Sequence, residues 1–373
     1  MEIAKLPLPG SEAEAHKERN ECEPLIPGLP DEISELCLLH LPYPYQALAR
    51  FVSSTWNRAI TEPKFILSRN SLSLTLPYLF VFAFNKSTAR IQWQALDLRS
   101  GRWFVLPPMP FSNSVCVCPP AFACASLPRQ GKLFVMGGMK SDRETPMRTM
   151  IMYRTSTNQW SELSSMITPR SFCSAGSING KIIAVGGSGT STMESIRAVE
   201  IYDPENDTWA GAAKMDMGLT RYDSAVLGKK MYVTEGWTWP FMFSPRGGVY
   251  NLEKDTWQEM SKGMREGWSG LSVVLGDRLF VISEYGDCPI KMYVKDDDTW
   301  QNVGGDKFPR DRMQRPFAVT GMEGRIFVVS RGLHAAIGKV VIEGVEVKVE
   351  WEVVVAPKAF HQLSPCNCEL VYA

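Results

Sequence analysis

The chain has 373 residues, of which 45% are hydrophobic and 21% charged, an ordinary globular composition with enough chain to bury a substantial core. Its 40 Lys and Arg balance 40 Asp and Glu, which argues against nucleic acid or an anionic membrane as the main partner, because both require a concentrated basic surface. No run approaches the roughly 20 uncharged apolar residues that span a bilayer, and nine scattered cysteines read as reduced thiols filling the core.

Residues 1–24 are polar, carry acidic charge early and have no continuous apolar stretch. They read as a flexible tail rather than a secretory signal, so the expected location is nucleus or cytoplasm. Residues 25–69 read as helical. Asp31 is placed to cap a helix that turns Ile33, Leu36, Cys37 and Leu39 to one side. Pro42 and Pro44 interrupt, a second run from Gln46 to Val52 presents Leu48, Phe51 and Val52, and a third from Ser54 to Ile60 sets Trp56 and Ile60 on one face. Three short helices cannot bury so many apolar side chains among themselves, so a partner surface is expected. The alternative is that the helices pack on the rest of the chain.

From Leu72 the texture changes to short apolar strands broken by Gly, Pro, Asn and Asp, and residues 72–373 read as one all-β domain. Its units end in Trp103, Trp160, Trp209, Trp257, Trp300 and Trp351, spaced 57, 49, 48, 43 and 51 residues apart. Each unit orders an apolar strand and tight turn, a strongly apolar strand, a strand ending in an aromatic residue and turn, and the Trp strand. Four strands per unit make one propeller blade, so six units predict a six-bladed β-propeller. Gly137-Gly138 and Gly186-Gly187 end second strands where neighbouring backbone comes close. The first unit lacks an innermost strand, and Cys368–Tyr372 is expected to supply it and close the ring. Closure removes exposed edges, so truncating this segment should destabilise the domain.

The segments leading into innermost strands repeat an Arg/aromatic theme: Arg170, Arg221 with Tyr222, Arg265 with Trp268, and Arg315 with Phe317. Projecting to one end of the ring, they are candidates for binding an acidic or phosphorylated target segment through bidentate arginine contacts. The competing reading is a structural arginine paired with an acid of the neighbouring blade. Trp237, Trp239 and Phe241 crowd one short loop, which is either an apolar docking loop or a plug over the channel. No catalytic constellation is evident. Only His334 and His361 lie in the large domain, the pairs Cys116/Cys118 and Cys366/Cys368 have CxC rather than zinc-type CxxC spacing, and no phosphate loop or nucleophile elbow occurs. No metal or cofactor is therefore expected, and the chain reads as a non-catalytic binding protein.

Leu29-Pro30-Asp31, the apolar helix with Leu36 and Leu39, Leu41-Pro42 and Val52-Ser-Ser-Thr-Trp56 resemble an F-box. The resemblance implies a three-helix unit docking a Skp-type adaptor through Leu29, Pro30, Ile33, Leu36, Leu41, Pro42, Val52 and Trp56. Thr55 stands where the family carries a basic residue. Residues 77–373 resemble kelch repeats, with the double glycine intact only in the second and third units. Together the modules resemble the plant F-box/kelch-repeat proteins, and runs such as Leu25–Asp31, Pro77–Trp93, Gly101–Met109 and Val233–Trp237 sharpen that likeness. It implies the substrate-recognition subunit of an SCF-type E3 ubiquitin ligase, joined through the adaptor to cullin and RING subunits, with a role in phytochrome A (far-red) light signalling. The alternative is a kelch scaffold that assembles partners without ubiquitination.

Overall fold

The computed structural model describes residues 24–85, 87–88, 91–110, 121–140, 144–189, 194–219, 223–235, 244–283, 290–344 and 346–373. The 1–24 tail thus lies, but for Pro24, outside the described residues.

Four helices open the fold: α1 (Asp31–Leu39), α2 (Tyr45–Ala49), α3 (Ser54–Thr61) and α4 (Pro63–Ser71). Ser53 caps α3, its hydroxyl accepting the Trp56 N–H at 3.1 Å, and Pro63 suits the first turn of α4, where no N–H is needed. Asp31 does not cap α1 as expected. Pro30 occupies that position, and the Asp31 carboxylate instead accepts the Leu25 N–H at 3.1 Å, folding the preceding segment back onto the helix. Leu38, Leu39, Ala49, Ile60 and Phe65 form the module's own small core. Leu39 therefore faces inward, away from the exposed Ile33 and Leu36 with which the sequence grouped it.

Six antiparallel sheets follow, each with four principal strands, and their innermost strands neighbour one another around the ring. In chain order of the blades these are Leu363–Tyr372, Phe122–Leu127, Ser174–Ile178, Asp223–Leu227, Leu271–Leu275 and Ala318–Met322. The first blade is closed by the last strand, which pairs along the whole of Pro77–Asn85 with one irregularity at Phe82/Ala83. This closing strand is ten residues long, where the sequence suggested only Cys368–Tyr372. Blade six departs from the pattern by a long hairpin, Ala335–Glu343 with Glu346–Val354, and by a fifth, parallel edge strand at Gly304–Gly305.

A repeated hydrogen-bonded unit locks each of blades two to five to the one before it. Tyr153, Tyr202, Tyr250 and Tyr293 each donate their hydroxyl, at 2.7 Å, to Asn158, Asp207, Asp255 and Asp298 five residues later. The acceptor residues take positive φ, a conformation Asn and Asp tolerate better than other side chains. Two residues on, Trp160, Trp209, Trp257 and Trp300 donate their indole N–H to carbonyls of Pro107, Ser164, Ala213 and Gly263, all on the preceding connection. Asp207 and Asp255 also accept backbone N–H groups there, from Ser164 and Ala213. These four tryptophans thus bind blade to blade by directed bonds as well as by packing.

The double glycines have the steric origin expected of them. A Cβ on Gly137 would lie 2.5 Å from the Arg170 carbonyl oxygen, and one on Gly187 2.6 Å from that of Ser171. Only glycine lets the segment leading into blade three cross so closely.

Candidate interaction surfaces

Antiparallel strands give the ring two unlike ends. One carries the tight turns within blades, here the turn end; the other carries the longer connections, here the loop end. The helical module sits at the turn end of blades one and two. Tyr43 is buried against Tyr78 and Phe80, its hydroxyl 2.6 Å from that of Tyr153. The Tyr78 hydroxyl donates to the Tyr43 carbonyl at 2.7 Å. Arg50 donates to the Thr157 carbonyl, and Asn70 to that of Arg129 at 3.1 Å. Arg69, 3% exposed, spreads its guanidinium over the carbonyls of Leu39, Leu41, Leu74 and Ala373, joining three helices' connections to the closing strand. A buried guanidinium is tolerated here because several fixed carbonyls replace its water.

The module's other surface is apolar and open. Leu29, Ile33, Leu36, Tyr45, Leu48, Phe51 and Val52 are all exposed, Phe51 to 88%. Pro30 and Pro42 are exposed as well. So large an unburied apolar set on a small module marks a docking surface. The helices therefore pack on the propeller through one face, as the alternative reading had it, and leave the other face open. Two of the expected docking residues belong elsewhere. Trp56 is half-buried in the module's core with its indole N–H bonded to the Leu25 carbonyl at 2.5 Å. Leu41 is half-buried, and its carbonyl serves Arg69 and Gln46. Phe51 and Leu48, absent from the motif-derived set, are the most exposed. The signal was available: the sequence run from Gln46 to Val52 already presents Leu48, Phe51 and Val52, and of α2 the structure buries only Gln46 and Ala49.

Among the described residues the expected ring of arginines does not form. Arg170 is fully buried and pairs with Glu200 at 2.6 Å. Its guanidinium also donates to the carbonyls of Gly186 and Ala198, at 3.1 Å each. Glu200 in turn accepts the N–H groups of Ile167 and Thr168 at 2.9 and 3.0 Å. Arg170 is thus a structural arginine, though its acid lies in blade three, which it leads into, and not in the neighbouring blade as the competing reading had it. Trp268 is likewise fully buried, donating to Asp223 at 2.7 Å, and burial raises the Asp223 carboxyl above its ordinary range despite that bond. Arg265 lies on a short helix, Lys262–Gly267, tied to Glu259 at 2.5 Å. Phe317 is half-buried against Phe308, with ring centres 5.8 Å apart. Arg315 alone of the described set is exposed at the loop end. Arg221, Tyr222, Trp237, Trp239 and Phe241 lie outside the described residues, as do Cys116 and Cys118.

Among the described residues no three His, Cys, Asp or Glu are grouped to hold a metal ion, and no helix is long and apolar enough to cross a membrane.

Comparison with known proteins agrees with this architecture. The F-box domain model matches residues 26–68, and the Kelch motif model matches 122–167 and 169–216. The chain is 56% identical to the F-box protein AFR of Arabidopsis thaliana, covering 95% of this chain and 94% of that one. It is 40% identical to an F-box/kelch-repeat protein of the same plant, covering 94% and 87% respectively. Among solved structures, that of YjhT aligns with a TM-score of 0.51 at 13% identity, over 69% of this chain and 91% of that one, a likeness of fold alone. With an apolar-faced helical module fixed to a six-bladed kelch propeller and this degree of identity, the chain belongs to the plant F-box/kelch-repeat proteins.

Proposed function

We propose that the protein is the substrate-recognition subunit of an SCF-type E3 ubiquitin ligase. The F-box docks a Skp-type adaptor, which brings cullin and RING subunits, and the propeller holds the target. The observation that carries this is the two-faced helical module: one face is bonded into the propeller, the other presents Leu29, Ile33, Leu36, Leu48, Phe51 and Val52 to a partner. The protein contributes no reacting group. It acts by raising the effective concentration of a target lysine beside the ubiquitin carrier. Resemblance over residues 25–373 supports a place in phytochrome A (far-red) signalling, and the polar N-terminal residues with nine scattered cysteines support action in nucleus or cytoplasm.

The test is capture of purified Skp-type adaptor by the full chain, compared with Leu29→Ala/Pro30→Ala, followed by co-purification of cullin. Capture by the wild type and its loss in the variant support the reading. A wild type that ignores the adaptor leaves a kelch scaffold instead.

A further inference from the structure

Charge is balanced over the chain but not over the loop end of the propeller. Three connections of blade six converge there: residues 303–317, 330–334 and 355–362. The Arg331 N–H donates to the Gln314 carbonyl at 2.8 Å, joining the first two. The Ala356 N–H donates to His334 Nδ1 at 3.1 Å, joining the second and third. A Cβ on Gly332 would stand 3.7 Å from the His361 Cα. The segments therefore form one surface, held by one backbone bond and one bond to the His334 ring.

That surface carries the exposed Lys307, Arg312, Arg331 and Lys358, with Arg310 and Arg315 beside them engaged with other groups, against two acids, Asp306 and Asp311. Asp306 is occupied as a backbone acceptor, taking the Trp351 N–H at 3.1 Å, and Asp311 meets Arg312 at 3.8 Å in the open, where such a pair neutralises little. No other described connection at this end carries more than one basic residue in excess. In 163–173 the lone Arg170 is buried and matched by Glu200; in 260–270 Arg265 is engaged with Glu259; Arg246 beside blade four pairs with Glu235. Val355, 61% exposed, adds an apolar foothold at the margin. The helical module lies at the opposite end, so an adaptor docked there leaves this face open.

We infer that the loop end of blade six is the target-binding subsite, and that it takes an anionic protein segment. Arginine forks match both carboxylate and phosphate oxygens, and clustered like charge makes the site favour multiple acidic groups in one stretch. The inference rests on the substrate-receptor reading only for its biological use; the surface binds its ligand whether or not ubiquitin transfer follows.

The experiment measures fluorescence anisotropy of three labelled peptide pools with the full chain: one with central phosphoserine, one with clustered Asp and Glu, and one neutral with Ser and Gln. The comparison protein is Arg312→Ala/Arg331→Ala/Lys358→Ala, and Arg331→Glu is the charge-reversed variant. All three positions are exposed, so the fold should persist, which circular dichroism checks. At least one anionic pool is expected to bind, with affinity falling about tenfold for each arginine contact removed and declining with added salt. The phosphoserine and carboxylate pools tell which anion is preferred. The inference is overturned if no anionic pool binds, if the neutral pool binds equally, or if the triple variant binds as the wild type does. Adaptor capture is measured on the same samples: its failure with anionic binding intact overturns the ligase reading alone.

Discussion

The Tyr43 and Tyr153 hydroxyls meet at 2.6 Å, and this bond crosses from the F-box to the second propeller blade. Because Tyr153 gives its proton to Asn158 at 2.7 Å, Tyr43 must be the donor, so the chain runs from Tyr43 through Tyr153 to the blade turn. Burial holds both phenols well above their ordinary pKa, so the relay keeps its protons throughout the physiological range. The F-box is thereby continuous with the device that locks blades together. Tyr43→Phe should cost about 1 kcal/mol, the worth of one net hydrogen bond, whereas Tyr43→Ala should cost about 3–5 kcal/mol through the cavity it leaves. Urea unfolding of the two variants checks this; equal losses would mean that the ring contributes nothing by packing.

Arg170 and Glu200 form a buried pair inside blade three. Arg170→Ala should destabilise by about 3–5 kcal/mol, because it leaves a carboxylate buried without its counter-charge. Adding Glu200→Leu to Arg170→Met should recover most of that loss. A double variant no better than Arg170→Ala in urea unfolding would locate the cost in the lost carbonyl bonds instead.

Glu369 lies on the closing strand, where burial pushes its carboxyl up to about 7 even though the Ser126 hydroxyl donates to it at 2.8 Å. A carboxyl whose folded value is raised favours the folded state only while protonated. Its contribution is complete below the unfolded value of about 4.3 and is lost as pH rises through about 7. Glu369→Gln should therefore stabilise the protein relative to the wild type at pH above 7, with the gain shrinking toward pH 5. The gain should be on the order of 1–3 kcal/mol. Urea midpoints at both ends of that range decide it, and a gain independent of pH would contradict the assignment.

The propeller was legible because its signal repeats. Six tryptophans at similar spacing, each after a turn, leave few architectures, and the missing first strand pointed to closure by the last. The locking bonds were also written in the chain, as Tyr and Asn or Asp five apart with Trp two further on, but a hydrogen bond between blades needs the third dimension to be seen. Arg170 misled for the same reason. Its neighbours in sequence look like a surface loop, while Glu200, thirty residues away, and the glycines at 137 and 187 create the crevice that encloses it. The F-box motif identified the module but not which of its residues are free. Trp56 and Leu41 belong to the motif yet serve the interior, whereas Phe51 and Leu48 are left exposed by α2 and the turn after it. The basic surface of blade six was hidden by a net charge of zero.

The central claim is that one module has an inner face for the propeller and an outer face for the adaptor. It is tested most directly by isothermal titration of purified Skp-type adaptor into the full chain, comparing wild type with Leu48→Ser/Phe51→Ser and with Tyr43→Phe. The account predicts that removing the two exposed anchors weakens adaptor binding by about a hundredfold, as for truncated interface hot spots, with the urea midpoint unchanged. Tyr43→Phe should lower the midpoint and leave adaptor affinity as it is. Equal adaptor binding by wild type and Leu48→Ser/Phe51→Ser would contradict the account.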